Sequence, residues 1–294
     1  MVLVTGFLGA GKTTLLNRLL SLPEFREREL AVVINEFGPI GVDGDLVRPG
    51  AYAKYEINKG SLFCICVKTD FLSTLEAIAA TGPDMVLVEA TGVAETRDLL
   101  GFVDEPHLRD RFHIEADLCV VDALNFTKVA PNLLAAQSQV RWADGIVLNK
   151  CDLVEPADLE KLKTVLASLN PVAPLTAVSF ARIPEGFVTS LTHHPCPEPP
   201  AQVPPQAIFS ASFETQNPVR RTAFLELLEG LRRNILRLKG QVDFGDGAVF
   251  VELVNDVLME KPAVGDRPGT RIVVVAWNMR QAELEAAFRS ALEG

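Results

Sequence analysis

Residues 6–14 read Gly6-Phe-Leu-Gly-Ala-Gly-Lys-Thr-Thr14 and match the phosphate-binding pattern G-x-x-x-x-G-K-[ST]. The residues before them, 1–5, are apolar and β-branched, as in a short buried strand. Residues 14–20 carry apolar side chains at helical spacing. A strand, a glycine-rich turn and a helix are the context that this loop requires, so the stretch predicts a nucleotide phosphate site.

The side chains of this loop have distinct expected roles. We expect Lys12 to reach the β- and γ-phosphates and the Thr13 hydroxyl to bind Mg²⁺. Backbone N–H groups that point along the loop would surround the phosphates. The further residues expected to bind the nucleotide are Gly9, Ala10, Gly11 and Thr14.

Length and composition restrict the class of protein. The 294 residues allow one large or two moderate domains, and 48% of them are hydrophobic. A net charge of −10 argues against a nucleic-acid-binding face. The chain shows neither a signal peptide pattern nor the ~20 uninterrupted apolar residues of a membrane span. Its five scattered cysteines do not form a disulfide pattern, so we expect a cytoplasmic protein.

The first part of the chain alternates predicted strands with predicted helices. This order is typical of a parallel sheet flanked by helices, here of the P-loop NTPase type within the α/β class. The predicted strands, each a short apolar run, are 1–5, 30–34, 85–88, 118–121, 145–148 and 175–178. The predicted helices are 14–20, 70–80, 133–142 and 157–169.

A proline-rich stretch then separates a second region of different order. We predict a first domain over 1–185, a linker over 186–206 and a smaller α+β domain over 207–294. In the smaller domain the pattern predicts strands at 207–213, 248–254 and 271–277, and helices at 219–238 and 280–292. Gly240 suits the end of the first of these helices.

The segment Glu89-Ala-Thr-Gly92 directly follows a predicted strand. An acid at the carboxyl end of a parallel strand can reach Mg²⁺, and Gly92 can donate its N–H to a γ-phosphate. The alternative is that Glu89 only caps the next helix.

The segment Asn149-Lys-Cys-Asp152 follows another predicted strand and fits the guanine-reading pattern N-K-x-D. Asp152 can accept hydrogen bonds from both N1–H and the N2 amine of guanine, a pattern that adenine does not offer. Lys150 would lie along the base, and Asn149 would brace the loop.

Two further segments carry candidate ligands. Glu36 and Asp43 lie in a glycine-rich stretch that suits a switch loop, where they are either ligands or solvated acids. Cys64 and Cys66 form a C-x-C pair that can share one metal ion such as Zn²⁺. A closed site needs further ligands, and buried free cysteines are the alternative.

With these blocks in order, the chain resembles the CobW-like GTPases, relatives of the nickel-insertion GTPases for hydrogenase and urease. The resemblance spans nearly the whole chain. Its blocks are Thr5 to Asn17, Ile34-Asn-Glu-Phe-Gly38 with Val42-Asp43, Glu89-Ala-Thr-Gly-Val-Ala94, Asn149-Lys-Cys-Asp-Leu153 and Arg237-Leu-Lys-Gly240.

The resemblance implies a GTPase that couples nucleotide state to the handling of zinc or cobalt. It implies Lys12, Glu89 and Gly92 in hydrolysis, and Thr13 with Glu89 or Asp43 at Mg²⁺. Cys64 and Cys66, with Glu36, would hold the transferred metal. Here the family's usual C-x-C-C is replaced by a C-x-C, and His193 and His194 lie in the proline-rich stretch as solvated side chains.

The same resemblance implies a client metalloprotein or a cofactor-assembly partner, a nucleotide-dependent dimer, and slow hydrolysis without a partner. Neither nucleic acid nor a membrane is an expected partner. Two other functions stay open at this point. One is a small-molecule kinase that uses ATP, and the other is a nucleotide-dependent regulator or scaffold without metal transfer.

Overall fold

The structure is a computed structural model that describes residues 1–35, 52–57, 65–92, 101, 103, 105–130, 133–195, 208–254, 257–263 and 269–293. These residues divide into two compact units, one up to residue 195 and one from residue 208 onward. None of the helices within these ranges is long and apolar enough to cross a membrane.

The first unit is built on a seven-stranded sheet whose strands are all parallel. Its order is β3-β2-β4-β1-β5-β6-β7. The strands are β1 Val2–Thr5, β2 Leu30–Asn35, β3 Tyr52–Ile57, β4 Met85–Glu89, β5 Ala116–Asp122, β6 Gly145–Asn149 and β7 Leu175–Ala177. The predicted parallel sheet is confirmed, and the edge strand β3 is an addition to it.

Helices cover both faces of this sheet because its strands are apolar on both sides. Leu15 and Leu19 of α1 pack in one core cluster, and Phe71 and Leu75 of α3 pack in the other. Within the described ranges, the helices of this unit with given bounds are α1 Lys12–Leu19, α2 Pro23–Arg26, α3 Ile65–Thr81, α4 Phe126–Val129, α5 Leu134–Trp142 and α6 Pro156–Leu169. Short 3₁₀ turns lie at Cys151–Leu153 and Val188–Ser190.

Strand β1 lies in the middle of the sheet, between β4 and β5. Val4 is the Cα partner of Glu89 on one side, and Thr5 is the partner of Cys119 on the other. Parallel strands end at the same edge, so the loops after β1, β4, β5 and β6 meet there. This edge is where the sequence places its polar motifs.

The last residues of the first unit pack onto it. Val188 is buried, and His193 Nδ1 lies 2.7 Å from Oδ2 of the buried Asp144. The His193 side chain is only 19% exposed, so the expectation of a solvated ring is wrong for this residue. It holds for His194, whose side chain is 68% exposed.

The second unit is a five-stranded antiparallel sheet of order β11-β10-β9-β12-β8. Two helices pack on it, and Phe213 of the sheet stacks on Phe288 with ring centroids 4.6 Å apart. The elements are β8 Ile208–Thr215, α7 Arg221–Gly230, β9 Ile235–Asp243, β10 Ala248–Val254, β11 Val257–Pro262, β12 Thr270–Trp277 and α8 Gln281–Glu293.

The predicted helix over 219–238 is wrong beyond Gly230, because residues 235–243 form the central strand β9. Its backbone pairs with β10 on one side and β12 on the other. Gly240 does not end a helix but lies inside β9 at φ 149°. A Cβ added there would lie 2.1 Å from Arg271 O, so the close approach of β12 requires glycine.

Candidate nucleotide-binding site

The loop between β1 and α1 has a backbone that two glycines make possible. Gly6 has φ 129°, and a Cβ there would lie 2.3 Å from Val120 O. Gly11 has φ 106°, and a Cβ there would lie 2.5 Å from Asn149 Nδ2. Both positions combine a left-handed backbone with close neighbours, so only glycine fits without strain. The loop thus closes tightly against β5 and β6.

The loop leads straight into α1, whose first residue is Lys12. Gly11 at the N-cap position offers no side-chain oxygen to the first N–H groups of the helix. These groups and the positive end of the helix dipole suit a phosphate. Lys12 is buried, with Nζ 3.4 Å from Phe7 O, whereas Thr14 is exposed. Gly9 and Ala10, also expected to bind the nucleotide, lie in the same loop, directly before Gly11.

Two oxygen-bearing side chains meet beside this loop. Thr13 Oγ1 donates a 2.8 Å hydrogen bond to Glu89 Oε1, and Glu89 is 4% exposed. Thr13 lies in the first turn of α1, and Glu89 ends β4, so the sheet order brings them together. A hydroxyl and a buried carboxylate are the donors that a hard cation such as Mg²⁺ takes in proteins. The pair fits such an ion.

Gly92 lies against the phosphate-binding loop. A Cβ added to Gly92 would lie 2.6 Å from Leu8 N, and its carbonyl accepts a 3.4 Å hydrogen bond from Gln139 Nε2. Its buried position leaves the backbone within reach of the loop that would hold the terminal phosphate. A movement of the backbone at Leu8 would therefore change the space around Gly92.

Asn149 joins the phosphate-binding loop to the loop after β7. Its Nδ2 donates to Ala10 O at 3.0 Å, and its Oδ1 accepts from Ala181 N at 2.8 Å. The side chain is buried, so both bonds are shielded from water. One amide thus sets the spacing of two loops that approach from different strands.

Lys150 and Asp152 follow on the same loop. Lys150 has φ 63°, and its Nζ lies 2.7 Å from Asp122 Oδ2. Asp152 is exposed, and its backbone N–H donates to Ser179 Oγ at 3.1 Å. The turn holds the backbone of Asp152 and leaves its side chain exposed, so its carboxylate is accessible to a ligand.

Sequence reasoning missed two parts of this site. One is Asp122, which ends β5, and the other is the turn at Ser179–Ala181 after β7, where Phe180 and Ala181 have positive φ. Both follow parallel strands. The rule that ligands bind at the carboxyl ends of strands could have found them, had it been applied to β5 and β7 as well.

The structure does not describe the candidate ligands of the transferred metal. Glu36, Asp43 and Cys64 lie outside the described residues, and so does the side chain of Cys66. In the described part of the chain, no three His, Cys, Asp or Glu side chains form a group able to hold a metal ion.

Among the described residues of the first unit, Cys119 and Cys151 are free thiols. Burial raises the pKa of Cys119 strongly and raises the pKa of Cys151 as well. Both thiols are therefore neutral near pH 7, the protonation state that disfavours metal binding.

Two family models cover the chain. The CobW/HypB/UreG nucleotide-binding domain matches residues 1–177, and the cobalamin synthesis protein cobW C-terminal domain matches residues 208–292. The chain belongs to the CobW/HypB/UreG family. The resemblance stated from the motifs is confirmed, and all seven strands of the sheet lie within the matched nucleotide-binding domain, with the turn at Ser179–Ala181 just beyond it.

Individual relatives in the CobW/HypB/UreG family match almost end to end. The zinc chaperone YjiA of Escherichia coli is 28% identical over 98% of this chain and 97% of its own length. The zinc chaperone CobW of Pseudomonas aeruginosa is 27% identical over 99% of this chain and 91% of its own length. A crystal structure of Zn(II)-bound YjiA GTPase from E. coli is 25% identical, covers 99% of this chain and 98% of that one, and gives a TM-score of 0.48.

Proposed function

We propose that this CobW/HypB/UreG-family protein is a GTPase that couples its nucleotide state to delivery of a transition metal, zinc or cobalt. The client is a metalloprotein or a cofactor-assembly partner. The observation that carries the proposal is the buried Asn149 side chain, which bonds both Ala10 O and Ala181 N. These bonds support the proposal because they bring the phosphate-binding loop, residues 6–14, next to the proposed base-reading loop, residues 149–152, and a guanine nucleotide would need both.

The phosphates would be held by the loop N–H groups, the start of α1 and Lys12. Thr13 and Glu89, whose oxygens already meet, would hold Mg²⁺. Asp43, in the candidate switch loop, is a further ligand in this proposal. When bound, the cation neutralises phosphate charge. Glu89 supplies the buried negative charge that balances that cation, and Lys12 supplies the positive charge that acts on the phosphates.

In this proposal, Asp152 selects guanine over adenine. Its carboxylate can accept two hydrogen bonds from guanine, and its backbone is fixed by the bond from its N–H to Ser179 Oγ. Adenine would place its N1, a hydrogen-bond acceptor, against that carboxylate, and the acceptors left without a donor would weaken binding. Selection of guanine argues for a GTPase and against an ATP-dependent kinase.

Hydrolysis in this proposal depends on positioning and charge stabilisation rather than on a strong base. Lys12 neutralises charge on the terminal phosphates, and the Gly92 backbone contacts the same loop. We expect slow turnover that a partner, a client or a second copy of the chain in a nucleotide-dependent dimer, accelerates.

The metal cargo is the substrate of this cycle. Cys64, Cys66 and Glu36 are the proposed ligands, supported by family membership and by relatives named as zinc chaperones. Two thiolates suit Zn²⁺ or Co²⁺. A reducing cytoplasm, where such thiols persist, is the proposed location.

Calorimetric titration of the full chain with GTP and ATP, each with and without Zn²⁺ or Co²⁺, tests the proposal. We expect GTP to bind at least ~100-fold more tightly than ATP, because the wrong base leaves Asp152 unpaired. Metal should shift GTP affinity, and by linkage GTP should shift metal affinity by the same factor. The Cys64→Ala/Cys66→Ala variant should lose this coupling, whereas Cys196→Ala, a matched thiol control, should keep it.

Each alternative has its own outcome. Preference for ATP would support the kinase and contradict a GTPase. Tight GTP binding that metal leaves unchanged, in both the natural chain and the double cysteine variant, would support a regulator or scaffold without metal transfer.

A further inference from the structure

We propose that Asp122 is a positioning residue for base recognition, holding the Lys150 ammonium so that the lysine stem is ordered before guanine binds. This inference rests on the proposed GTP function, since it assigns a role within that site. Asp122 ends β5 and is the Cα partner of Asn149 across the β5–β6 ladder. The register therefore puts its carboxylate beside the start of the base-reading loop.

The ion pair of Asp122 and Lys150 is short and sheltered. Lys150 Nζ lies 2.7 Å from Asp122 Oδ2, and the two side chains are 30% and 7% exposed, respectively. Charges this close and partly shielded from water attract more strongly than a surface pair does. The ammonium is fixed at one place, and the four-carbon stem between it and the backbone loses most of its freedom before any ligand arrives.

Asp122 is itself held by its neighbours. Its Oδ1 accepts from Leu124 N at 3.0 Å, and its Oδ2 accepts from Asn125 Nδ2 at 3.1 Å. The Ala123 N–H donates to Asn149 O at 2.9 Å, which ties the two loops together. A carboxylate with these donors has a single position, so it is a preorganised anchor rather than a mobile surface acid.

The backbone at Lys150 explains why an anchor is useful. Lys150 has φ 63°, a left-handed conformation that a non-glycine residue adopts only when its surroundings hold it there. The side chain of Asn149 fixes the loop on one side, and the ion pair to Asp122 fixes it on the other. Together they hold the turn that presents Asp152.

Loss of the anchor would also interfere with Asp152. Without the Asp122 charge, the exposed carboxylate of Asp152, two residues further on, becomes the alternative partner for the Lys150 ammonium. An ion pair there would occupy the acceptors that guanine needs. Asp122 thus acts twice, by ordering the Lys150 stem and by keeping the Asp152 carboxylate available.

The test is Asp122→Asn, which keeps the shape and removes the charge. We expect the Kd for GDP to rise about tenfold while the Kd for inorganic tripolyphosphate changes less than about twofold, because only base recognition depends on Lys150. Lys150→Met, which keeps an apolar stem, should show the same selective loss. In the double variant the two losses should not add, since both remove one interaction.

Asp144→Asn is the matched control. Asp144 is also a buried carboxylate of this sheet, but it precedes β6 at the opposite edge, where it accepts from Asp117 N and His194 N at 2.7 Å each. This variant should lower the thermal midpoint and leave the ratio of GDP to tripolyphosphate affinity unchanged.

Two results obtained with Asp122→Asn, or a third obtained with Lys150→Met, would overturn the role of Asp122. One is an equal loss for GDP and tripolyphosphate in Asp122→Asn, and the other is additive losses in the double variant. If Asp122→Asn does not fold, an unchanged GDP affinity in Lys150→Met would overturn it as well. A natural chain that binds ATP as well as GTP would instead contradict the proposed GTP function.

Discussion

The Asn149 side chain donates a 3.0 Å hydrogen bond to the carbonyl of Ala10, so the loop after β6 supports the loop after β1. Asn149 lies 139 residues further along the chain than Ala10. The phosphate-binding loop and the base-reading loop therefore keep their spacing through one buried amide. Replacing it affects both halves of the site at once.

Asn149→Ala should lower the free energy of unfolding by about 2–3 kcal/mol, because it leaves Ala10 O and Ala181 N without their buried partner. Affinity for GDP and for tripolyphosphate should both fall, which urea unfolding and calorimetry would measure. Asn170→Ala is the matched control, since Asn170 is buried and donates to Val140 O and Ala143 O elsewhere in the unit. An unchanged tripolyphosphate affinity in Asn149→Ala would contradict the bracing role.

Gly92→Ala should slow GTP hydrolysis at least about tenfold while GDP affinity stays within about twofold. The added Cβ would lie 2.6 Å from Leu8 N, so the phosphate-binding loop and Gly92 would have to separate. Single-turnover hydrolysis and GDP titration measure the two effects. Gly230→Ala, where an added Cβ meets nothing within 4 Å, should leave both unchanged. Equal hydrolysis rates in Gly92→Ala and the natural chain would contradict a role for Gly92 at the terminal phosphate.

Glu89→Gln should weaken the effect of Mg²⁺ on GTP affinity. The amide keeps the shape and can still accept from the Thr13 hydroxyl, but it lacks the negative charge that a hard cation prefers. GTP titrations in Mg²⁺ and in EDTA should differ much less in the variant than in the natural chain. Asp84→Asn, at the other end of β4, is the control and should keep the full Mg²⁺ effect. The same Mg²⁺ effect in both variants would count against Glu89 at the cation.

Asp152→Asn should lose guanine selectivity while phosphate binding stays intact. The asparagine side chain presents one acceptor and one donor instead of two acceptors, so it matches xanthine better than guanine. We expect GTP affinity to fall by about 100-fold or more and tripolyphosphate affinity to stay within about twofold. Competition between GTP, XTP and tripolyphosphate measures this directly. An equal loss for GTP and tripolyphosphate would mean that Asp152 is structural.

Gly240→Ala should destabilise the second unit by more than about 3 kcal/mol, because a central strand would be forced away from β12. The position combines φ 149° with a space of 2.1 Å between an added Cβ and Arg271 O. Chemical unfolding followed through Trp277, which lies in β12, measures the loss. Gly230→Ala in the same unit should have little effect. A small loss in Gly240→Ala would contradict the strand placement of the Arg237-Leu-Lys-Gly240 segment.

Most strands of the first unit can be predicted from the sequence, because strands buried on both faces are short apolar runs such as Met85–Glu89. The edge strand β3, Tyr52–Ile57, has no such run, since only one neighbour covers it. The prediction misses strand β9 for another reason. Its sequence, Ile235 to Asp243, also fits a continued helix, and only pairing with β10 and β12 decides between the two.

The phosphate-binding motif at 6–14 and the guanine-reading motif at 149–152 can be recognised in the sequence, because each lies in one short stretch after a strand. Its position at the end of a strand places Asp122 at the same edge of the sheet, but its role depends on which residue of β6 it faces, and that register is a property of the sheet. The turn at Ser179–Ala181 depends likewise on the contact of Ala181 N with Asn149, which is 32 residues away. Contacts of this kind are set by tertiary packing rather than by local sequence.

The central place of β1 has a consequence for biosynthesis. Its two neighbours in the sheet, β4 and β5, are translated some 80 and 110 residues after it. Chain segments with such distant partners pair slowly and late. The phosphate-binding loop therefore leaves the ribosome long before anything holds its shape. Under the proposed function, the site is complete only after Ala181 has emerged to contact Asn149, so GTP would act as a late folding ligand that captures the finished domain.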